Sequence, residues 1–419
     1  MLKQKLNLRA IAEFLVVGVC TVTFAFTIVG ILAALLKPNA AGSRDFVEYW
    51  AAGHQLIHHA DPYSAEAILK LERSAGFPSG IPAQIMPNPP SALLLVIPLG
   101  AFGPRAGELL WEMLLLASLM ISVQIIRSIY EFPKNMRYLL GFSFAPVLSC
   151  LLAGQVSIFV LLGLSLFLRL HLSRPFLAGI SLWLCLLKPH LFLPFGVVLL
   201  LWIFLTRSYK ILVGTVFALI VSSAVATALD PMLWTQYATM MRTARVDRVL
   251  MPCLGSMLRF YVRPHTLWLQ CLPAMVGSIW AIAYFLKRRE RWDWITDGSL
   301  LALVSVLVVP YTWFMDQAML IPALLQGAYV TRSRTLLATL ALMSAAIEIG
   351  VLRGVPLYSA FYLWTAPAWL AWYVCATRTS HASHTRDLTH EIAESATAFL
   401  KVGDSGSFPS SPRREQREA

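Results

Sequence analysis

Apolar residues fill most of the chain in long runs, and polar residues are concentrated in the turns between them. The first run, Phe14–Leu36, exceeds the roughly 20 residues that cross a bilayer and is too long for a signal-peptide core. It predicts an uncleaved first span with its N-terminus in the cytoplasm. The next run, Ser91–Phe102, is interrupted by Pro98 and Gly100 and is too short to cross. It predicts a helix lying in the membrane interface.

Eleven further apolar runs predict spans, which gives an all-α integral membrane protein with about 12 transmembrane helices and interfacial helices in the first outer loop. These runs are Gly107–Ile126, Tyr138–Ala153, Val156–Leu168, Pro175–Leu187, Leu191–Leu205, Ile211–Leu229, Thr266–Leu286, Leu300–Pro310, Met315–Val330, Leu336–Val351 and Pro356–Ala376. The predicted transmembrane domain covers residues 1–376, with a first outer loop at 37–106 and a second large outer loop at 230–265. The polar remainder, 377–419, is predicted to be a disordered cytoplasmic tail.

Basic residues set the predicted orientation. Most lysines and arginines near the apolar runs lie at the ends assigned to the cytoplasm, whereas the short outer turns carry only Lys188 and Arg353. Treating residues 91–102 as a full span would invert every later loop and reverse this asymmetry. The pattern therefore predicts a multi-pass protein of the plasma (inner) membrane with both termini in the cytoplasm.

Composition supports the membrane class and excludes others. The chain is 58% hydrophobic and only 13% charged, far from the average of a soluble protein. Its net charge of +12 is explained by membrane topology, and no nucleic-acid motif accompanies it. No nucleotide-binding loop, zinc-protease motif or serine-hydrolase motif stands where it would act. We therefore expect no cofactor and no nucleic-acid partner, although a divalent metal at Asp45 and Glu48 remains open.

The stretch after the first span, Asp45–Gly53, carries the most informative polar residues. Asp45 and Glu48 are three positions apart and would share one face of a short helix, with Tyr49 beside them. A carboxylate among aromatics at a membrane surface is a candidate general base. The alternative is a solvated helix cap with an aromatic interface anchor.

Other polar residues gather on the same predicted outer face. Gln155 lies in a tight turn, Lys188 and His190 end one span, and Asp316 begins another. Polar residues at the edge of an apolar span are costly unless they are paired or functional, so these four are candidate donor-binding residues. The alternatives are a lysine that snorkels to the outer head groups and a satisfied interfacial histidine.

Five arginines occupy the second large outer loop and could bind a phosphate through their guanidinium groups. They are Arg242, Arg245, Arg248, Arg259 and Arg263, of which the first three recur at the spacing of one helical face. Binding of anionic lipid head groups is the alternative explanation.

Taken together, these motifs resemble a known family, the polyprenyl-phosphate-mannose-dependent glycosyltransferases of glycosyltransferase family 87. The resemblance covers about residues 12–376. Its marks, in chain order, are Asp45–Gly53, Asp61-Pro62-Tyr63, Pro89-Pro90, Ile97-Pro98-Leu99, Gly154-Gln155, Leu187-Lys188-Pro189-His190 and Pro310-Tyr311-Thr312-Trp313.

The resemblance implies a membrane glycosyltransferase of the C superfamily, with an extracytoplasmic active site and a lipid-phosphate sugar as donor. Asp45 matches the family's catalytic aspartate and would act as general base in a single inverting displacement. The expected partners are a polyprenyl-phosphate sugar, mannose first, a glycan or glycolipid acceptor, and membrane lipids. Glu48, Tyr49, Gln155 and Asp316 would contact sugar hydroxyls, and Lys188 and His190 the phosphate.

Three positions depart from the family's usual pattern. The chain has Asn88 where the family often has tyrosine, His190 where it often has glutamine, and Asp316 where it often has histidine. These departures bear on the identity of donor and acceptor. A lipid-carrier-dependent ligase or polymerase with the same site also remains open.

A multi-pass transporter or lipid-linked sugar flippase is the competing class, because it shares the spans and the basic cavity. Transporters usually place their sites near the midplane, on broken helices and in repeated halves. Here the polar residues lie at the outer ends of the spans, and we find no repeat, so the pattern favours the enzyme.

Overall fold

The computed structural model describes residues 2–36, 40–243 and 250–378, and this part of the chain contains helices and turns but no strands. Its α-helices are α1 (Leu2–Leu36), α2 (Phe46–Ile57), α3 (Ala65–Ser74), α4 (Leu93–Gly100), α5 (Pro104–Ile129), α6 (Leu139–Phe142), α7 (Ala145–Ala153), α8 (Ser157–Leu170), α9 (Pro175–Cys185), α10 (Leu193–Thr206), α11 (Tyr209–Leu229), α12 (Leu233–Thr243), α13 (Leu254–Val262), α14 (Trp268–Arg288), α15 (Asp297–Val308), α16 (Ile321–Val330) and α17 (Arg334–Leu352), followed by a helical stretch over 365–378. Shorter 3-10 turns lie at Ala40–Ser43, Pro90–Ala92, Met136–Tyr138, Pro189–Phe192, Arg289–Arg291, Phe314–Leu320 and Ala360–Trp364.

Six described helices are long and apolar enough to cross a membrane, so the chain is a multi-pass membrane protein. They are Glu13–Ala33, Pro104–Ile129, Pro189–Thr206, Tyr209–Leu229, Trp268–Arg291 and Arg334–Leu352. The pair Met136–Phe142 and Ala145–Ala153, bent by 43°, would make a seventh if it forms one broken span. Many side chains on these helices point out of the protein and are apolar, as a lipid-facing surface requires.

Every predicted span contains helix in the structure, but several helices are shorter than the bilayer is thick. Ser157–Leu170, Pro175–Cys185 and Asp297–Val308 are apolar and have between 10 and 17 residues. The predicted span Pro356–Ala376 differs most, because turns and a 3-10 segment precede its helix at residue 365. The count of twelve crossings and their orientation therefore stay predictions.

The segment predicted to be the first outer loop folds back on the helices instead of extending away from them. In this loop α2 packs against α4 through two glycines. A Cβ at Gly53 would lie 2.2 Å from the carbonyl oxygen of Val96, and one at Gly100 would lie 2.3 Å from that of Gly53. The preceding 3-10 turn and α4 together form an apolar helix over Pro90–Gly100, too short to span, and its position in the membrane interface stays a prediction.

The second large outer loop contains α12 and α13. Two of its five arginines, Arg245 and Arg248, lie outside the described residues, as does the tail from residue 379 onward. The division into a 1–376 domain and a 377–419 tail stays a prediction.

Candidate functional site

A sharp break between α7 and α8 positions the centre of the site. Gly154 ends α7 with a φ of +74°, in the left-handed region that favours glycine. A Cβ at this position would come within 3.0 Å of Cβ of Phe46, the first residue of α2. Only glycine therefore lets the two backbones meet here, and the next residue, Gln155, is placed against the start of α2.

Asp45 occupies the N-cap position of α2, yet its side chain makes no capping hydrogen bond. Its Oδ2 instead accepts a 2.6 Å hydrogen bond from Nε2 of Gln155. The side chain is half-buried. Burial raises the pKa of Asp45 above its ordinary value, and the Gln155 hydrogen bond and the charge of Lys188 oppose this rise.

Gln155 connects Asp45 to two further predicted site residues. Its Oε1 accepts hydrogen bonds from the Tyr49 hydroxyl at 2.8 Å and from Nζ of Lys188 at 3.2 Å. Because both partners donate, the amide must turn its NH₂ group toward Asp45. Tyr49 is itself held by stacking on Trp111, with ring centroids 5.2 Å apart. The side chain of Gln155 is buried and rigidly oriented.

Lys188 does not snorkel to the head groups, because its ammonium group is buried in an ion pair. Nζ lies 2.5 Å from Oδ1 of Asp316 and also donates to Oγ of Ser157 at 3.2 Å. Both residues are buried, with 7% of Lys188 and 1% of Asp316 exposed. The three hydrogen bonds to Gln155, Ser157 and Asp316 use all three ammonium protons.

Asp316 is satisfied from several directions. Its Oδ1 accepts from the Ser157 hydroxyl at 2.6 Å as well as from Lys188. Its Oδ2 accepts from the backbone N–H of Trp313 at 2.9 Å and the Thr312 hydroxyl at 3.1 Å. This arrangement gives Asp316 the geometry of a group that fixes Lys188, and its contact with a sugar stays a prediction.

The backbone around Lys188 is tied to the first outer loop. The Asn88 side chain donates a 2.6 Å hydrogen bond to the carbonyl of Leu187, and the Tyr63 hydroxyl donates to the carbonyl of Asn88 at 3.1 Å. The ring of His190 stacks on Tyr311, with centroids 3.8 Å apart and an interplanar angle of 23°. Asn88 therefore has a visible structural role at a position where the family pattern often has tyrosine.

Glu48 lies one helical turn beyond Asp45 and is also half-buried. Burial and the neighbouring negative charge of Asp45 raise the pKa of Glu48 to about 8. This shift favours the protonated form of Glu48 at neutral pH. Burial thus raises the pKa of both carboxyl groups at the start of α2.

Arg44, which the sequence did not single out, anchors this region. Its guanidinium donates to Oε1 of Glu108 at 2.9 Å and forms an ion pair with Glu112, both on α5. It also donates to the carbonyls of Leu151 and Leu152 near the end of α7. The signal in the sequence was two glutamates four residues apart within a predicted span, which requires a buried cation.

Two described arginines of the predicted second outer loop differ in their surroundings. Arg242 is exposed near the end of α12. Arg259 is 1% exposed on α13 and donates to the carbonyl of Pro264 at 3.0 Å. Their role in donor binding, like that of Arg245 and Arg248 outside the described residues, stays a prediction.

An apolar groove of about 360 Å³ begins directly beside the Lys188 turn and lies among α9, α10 and α11. Its lining residues include Leu186, Pro189, Phe192, Gly196, Leu200 and Leu212. The groove thus joins the polar site at Pro189 to the apolar surface of the spans. Within the described residues, no three His, Cys, Asp or Glu side chains are grouped so that they could hold a metal ion.

Comparison with known proteins gives one match. The model of glycosyltransferase family 87 matches residues 87–310, more than half of the 419-residue chain. The matched part contains Gln155, Lys188 and His190, whereas Asp45 and Asp316 lie outside it. Searches of curated proteins and of solved structures found no match.

Proposed function

The chain belongs to glycosyltransferase family 87, and on this premise we propose that it moves a sugar from a polyprenyl-phosphate donor to a glycan or glycolipid acceptor. The expected sugar is mannose. The site would face the extracytoplasmic side of the membrane, as the charge asymmetry of the loops predicts. The family supports a membrane glycosyltransferase, and the donor and the chemistry below are our proposal.

One observation carries this proposal. Asp45, Gln155, Lys188 and Asp316 come from four distant parts of the chain and form one continuous hydrogen-bonded network. The network contains a half-buried carboxylate, Asp45, and an ammonium group, Lys188, which are the two charges that transfer from a phosphate donor requires.

Asp45 is the proposed general base. The oxygen of the acceptor hydroxyl would attack the anomeric carbon while its proton passes to the Asp45 carboxylate. A pKa raised by burial makes this carboxylate a stronger proton acceptor than one in water. Glu48, neutral at pH 7, adds no second negative charge and can donate a hydrogen bond to a sugar oxygen.

The leaving group needs positive charge rather than a proton. As the new bond to the acceptor forms, the bond between the anomeric carbon and the phosphate oxygen breaks, and polyprenyl phosphate leaves with the electron pair. Lys188 is the proposed counter-charge, with His190 beside it. Because all three Lys188 protons are already engaged, a phosphate oxygen would replace Gln155 or Ser157 as one of its acceptors.

The apolar groove beside Pro189 offers a place for the lipid tail. A chain that enters this groove would leave its phosphate next to Lys188 and its sugar toward Asp45. The polar and apolar parts of the proposed donor thus match two adjoining parts of the protein.

The test is donor dependence of the purified protein in detergent. We would incubate it with radiolabelled polyprenyl-phosphate mannose or GDP-mannose, each with lipid extract from the source membrane, and measure label in new glycolipid or glycan. The proposal expects transfer from the lipid donor alone. Transfer from GDP-mannose without lipid donor would overturn it.

A further inference from the structure

A second cavity, of about 420 Å³, lies beside the N-terminal part of α1. It is bounded by α1, by the 3-10 turn at Met136–Tyr138 and by the start of α17. Asp45 follows the opposite end of α1, and this helix is long enough to cross a bilayer. The cavity is therefore separate from the proposed active site, and the loop charges assign it to the cytoplasmic side.

The charge of this cavity is positive. Lys134, Arg137 and Arg334 line it from two separate parts of the chain, and among the described lining residues Glu13 is the one carboxylate. The contact between Glu13 and Arg334 is long, at 3.7 Å, and 61% of the Glu13 side chain is exposed. One loose carboxylate cannot neutralise three cations, so the cavity favours an anion.

Two features concentrate positive charge at Arg334. Nη1 of Arg334 is buried without a hydrogen-bond partner among the described residues. Arg334 is also the first residue of α17, a 19-residue helix whose first turn contains no acidic side chain. The helix dipole and the guanidinium add at the same place, and both favour an anion there.

Arg137 serves a structural purpose in the same cavity. Its Nη1 donates to the carbonyls of Ala328, Tyr329 and Thr331 at 2.6, 3.3 and 2.9 Å, which caps the end of α16. Arg137 still contributes its charge, but Lys134 and Arg334 are the cations with capacity to bind a ligand. Lys134 is exposed at the cavity edge.

Apart from Asn135, the remaining lining residues are apolar. They include Val17, Leu140 and Leu337, together with Phe14, which is 78% exposed on α1. A free ion gains nothing from contact with apolar side chains, whereas the acyl chains of a lipid can pack against them. We propose that this cavity binds the phosphate head group of an anionic phospholipid from the cytoplasmic leaflet, with Lys134 and Arg334 contacting the phosphate.

Native mass spectrometry can test this by counting lipids retained on the full-length protein. Wild type would be compared with Lys134→Gln, Arg334→Gln and Glu13→Gln in mixed phosphatidylglycerol and phosphatidylcholine. Retention of phosphatidylglycerol should fall about fivefold for each cation removed and should rise when Glu13 is replaced. Lys210→Gln removes an exposed cation of the same predicted face outside this cavity and should change nothing.

Three results would overturn the proposal. The first is equal loss of phosphatidylglycerol in Lys210→Gln, which would show a general charge effect. The second is unchanged retention of phosphatidylglycerol in Lys134→Gln and Arg334→Gln. The third is displacement of phosphatidylglycerol by millimolar inorganic phosphate, which would indicate a site for the free ion.

Discussion

The side-chain amide of Gln155 donates a 2.6 Å hydrogen bond to Oδ2 of Asp45, 110 residues earlier in the chain. The amide is held in this orientation by Tyr49 and Lys188, which both donate to its oxygen. The Asp45 carboxylate therefore accepts a hydrogen bond from an amide whose orientation is fixed by two other hydrogen bonds. This relationship makes Gln155 a positioning residue for the proposed base.

Replacing Gln155 with leucine should shift the pH dependence of transfer. The hydrogen bond from Gln155 lowers the pKa of Asp45, so its loss should raise that pKa and move the acid limb of kcat to higher pH. We also expect kcat at pH 7 to fall by about 10- to 100-fold. Ser165→Ala, which alters a buried hydroxyl bonded only to its own helix at Leu161, is the control and should leave the profile unchanged. An unmoved acid limb in Gln155→Leu would contradict the positioning role.

Variants of the Lys188–Asp316 ion pair should affect the stability of the protein and its transfer rate differently. Lys188→Met leaves the buried Asp316 charge uncompensated and should destabilise the protein by about 3–5 kcal/mol. The double variant Lys188→Met/Asp316→Asn removes both charges, so its Tm should recover toward that of wild type. Its transfer rate should stay low, because the phosphate has lost its counter-charge. Recovery of both quantities in the double variant would show that Lys188 is structural only.

Glu48 should control the alkaline side of the pH profile. It is protonated at neutral pH and ionises as pH rises through about 8. The new negative charge beside Asp45 and the donor phosphate should then lower the rate. Glu48→Gln stays neutral, so it should keep the rate within about threefold at pH 7 and lose the alkaline decline. Exposed Glu66→Gln on α3 is the control, and a decline that persists in Glu48→Gln would assign that limb to another group.

Arg44→Lys should be strongly destabilising despite conserving the charge. The guanidinium of Arg44 reaches Glu108, Glu112 and two carbonyls at once, and an ammonium group cannot match this fork. Leaving a buried carboxylate poorly paired should cost about 3 kcal/mol or more, measured as a lower Tm in detergent. Arg169→Lys, an exposed residue in the last turn of α8, should change Tm little. An unaltered Tm in Arg44→Lys would mean that the contacts of the Arg44 guanidinium contribute little to the stability of the protein.

Sequence patterns predicted candidate site residues, but they did not predict which of these residues pair. Gln155, Lys188 and Asp316 lie at or near the ends of apolar runs, and Asp45 follows the first run, so charge and hydropathy predict one common face for them. Which of these residues pair depends on how helices that are distant in the chain pack, and the spacing of residues along the sequence does not determine this packing. Hence Lys188 could be suspected, while its ion pair with Asp316 and the orientation of Gln155 could not.

The same limit applies to the fold. Long apolar runs identified α1, α5 and α11 because period and length suffice for helices of 20 residues or more. The start of the last helix at residue 365 was not predictable, since the apolar run extends back to Pro356 through turns and a 3-10 segment. Arg44 was overlooked for a related reason, because its partners lie on a helix 64 and 68 residues away.

The central claim is that Asp45 accepts the acceptor proton, and Asp45→Asn tests it most directly. The measurement is kcat for transfer from polyprenyl-phosphate mannose by purified, folded protein, beside wild type and Asp61→Asn, another aspartate of the same loop that bonds locally to Tyr63. We predict that Asp45→Asn lowers kcat by at least about 100-fold, with an unchanged Tm, while Asp61→Asn retains activity. Near-wild-type kcat in Asp45→Asn would contradict the mechanism.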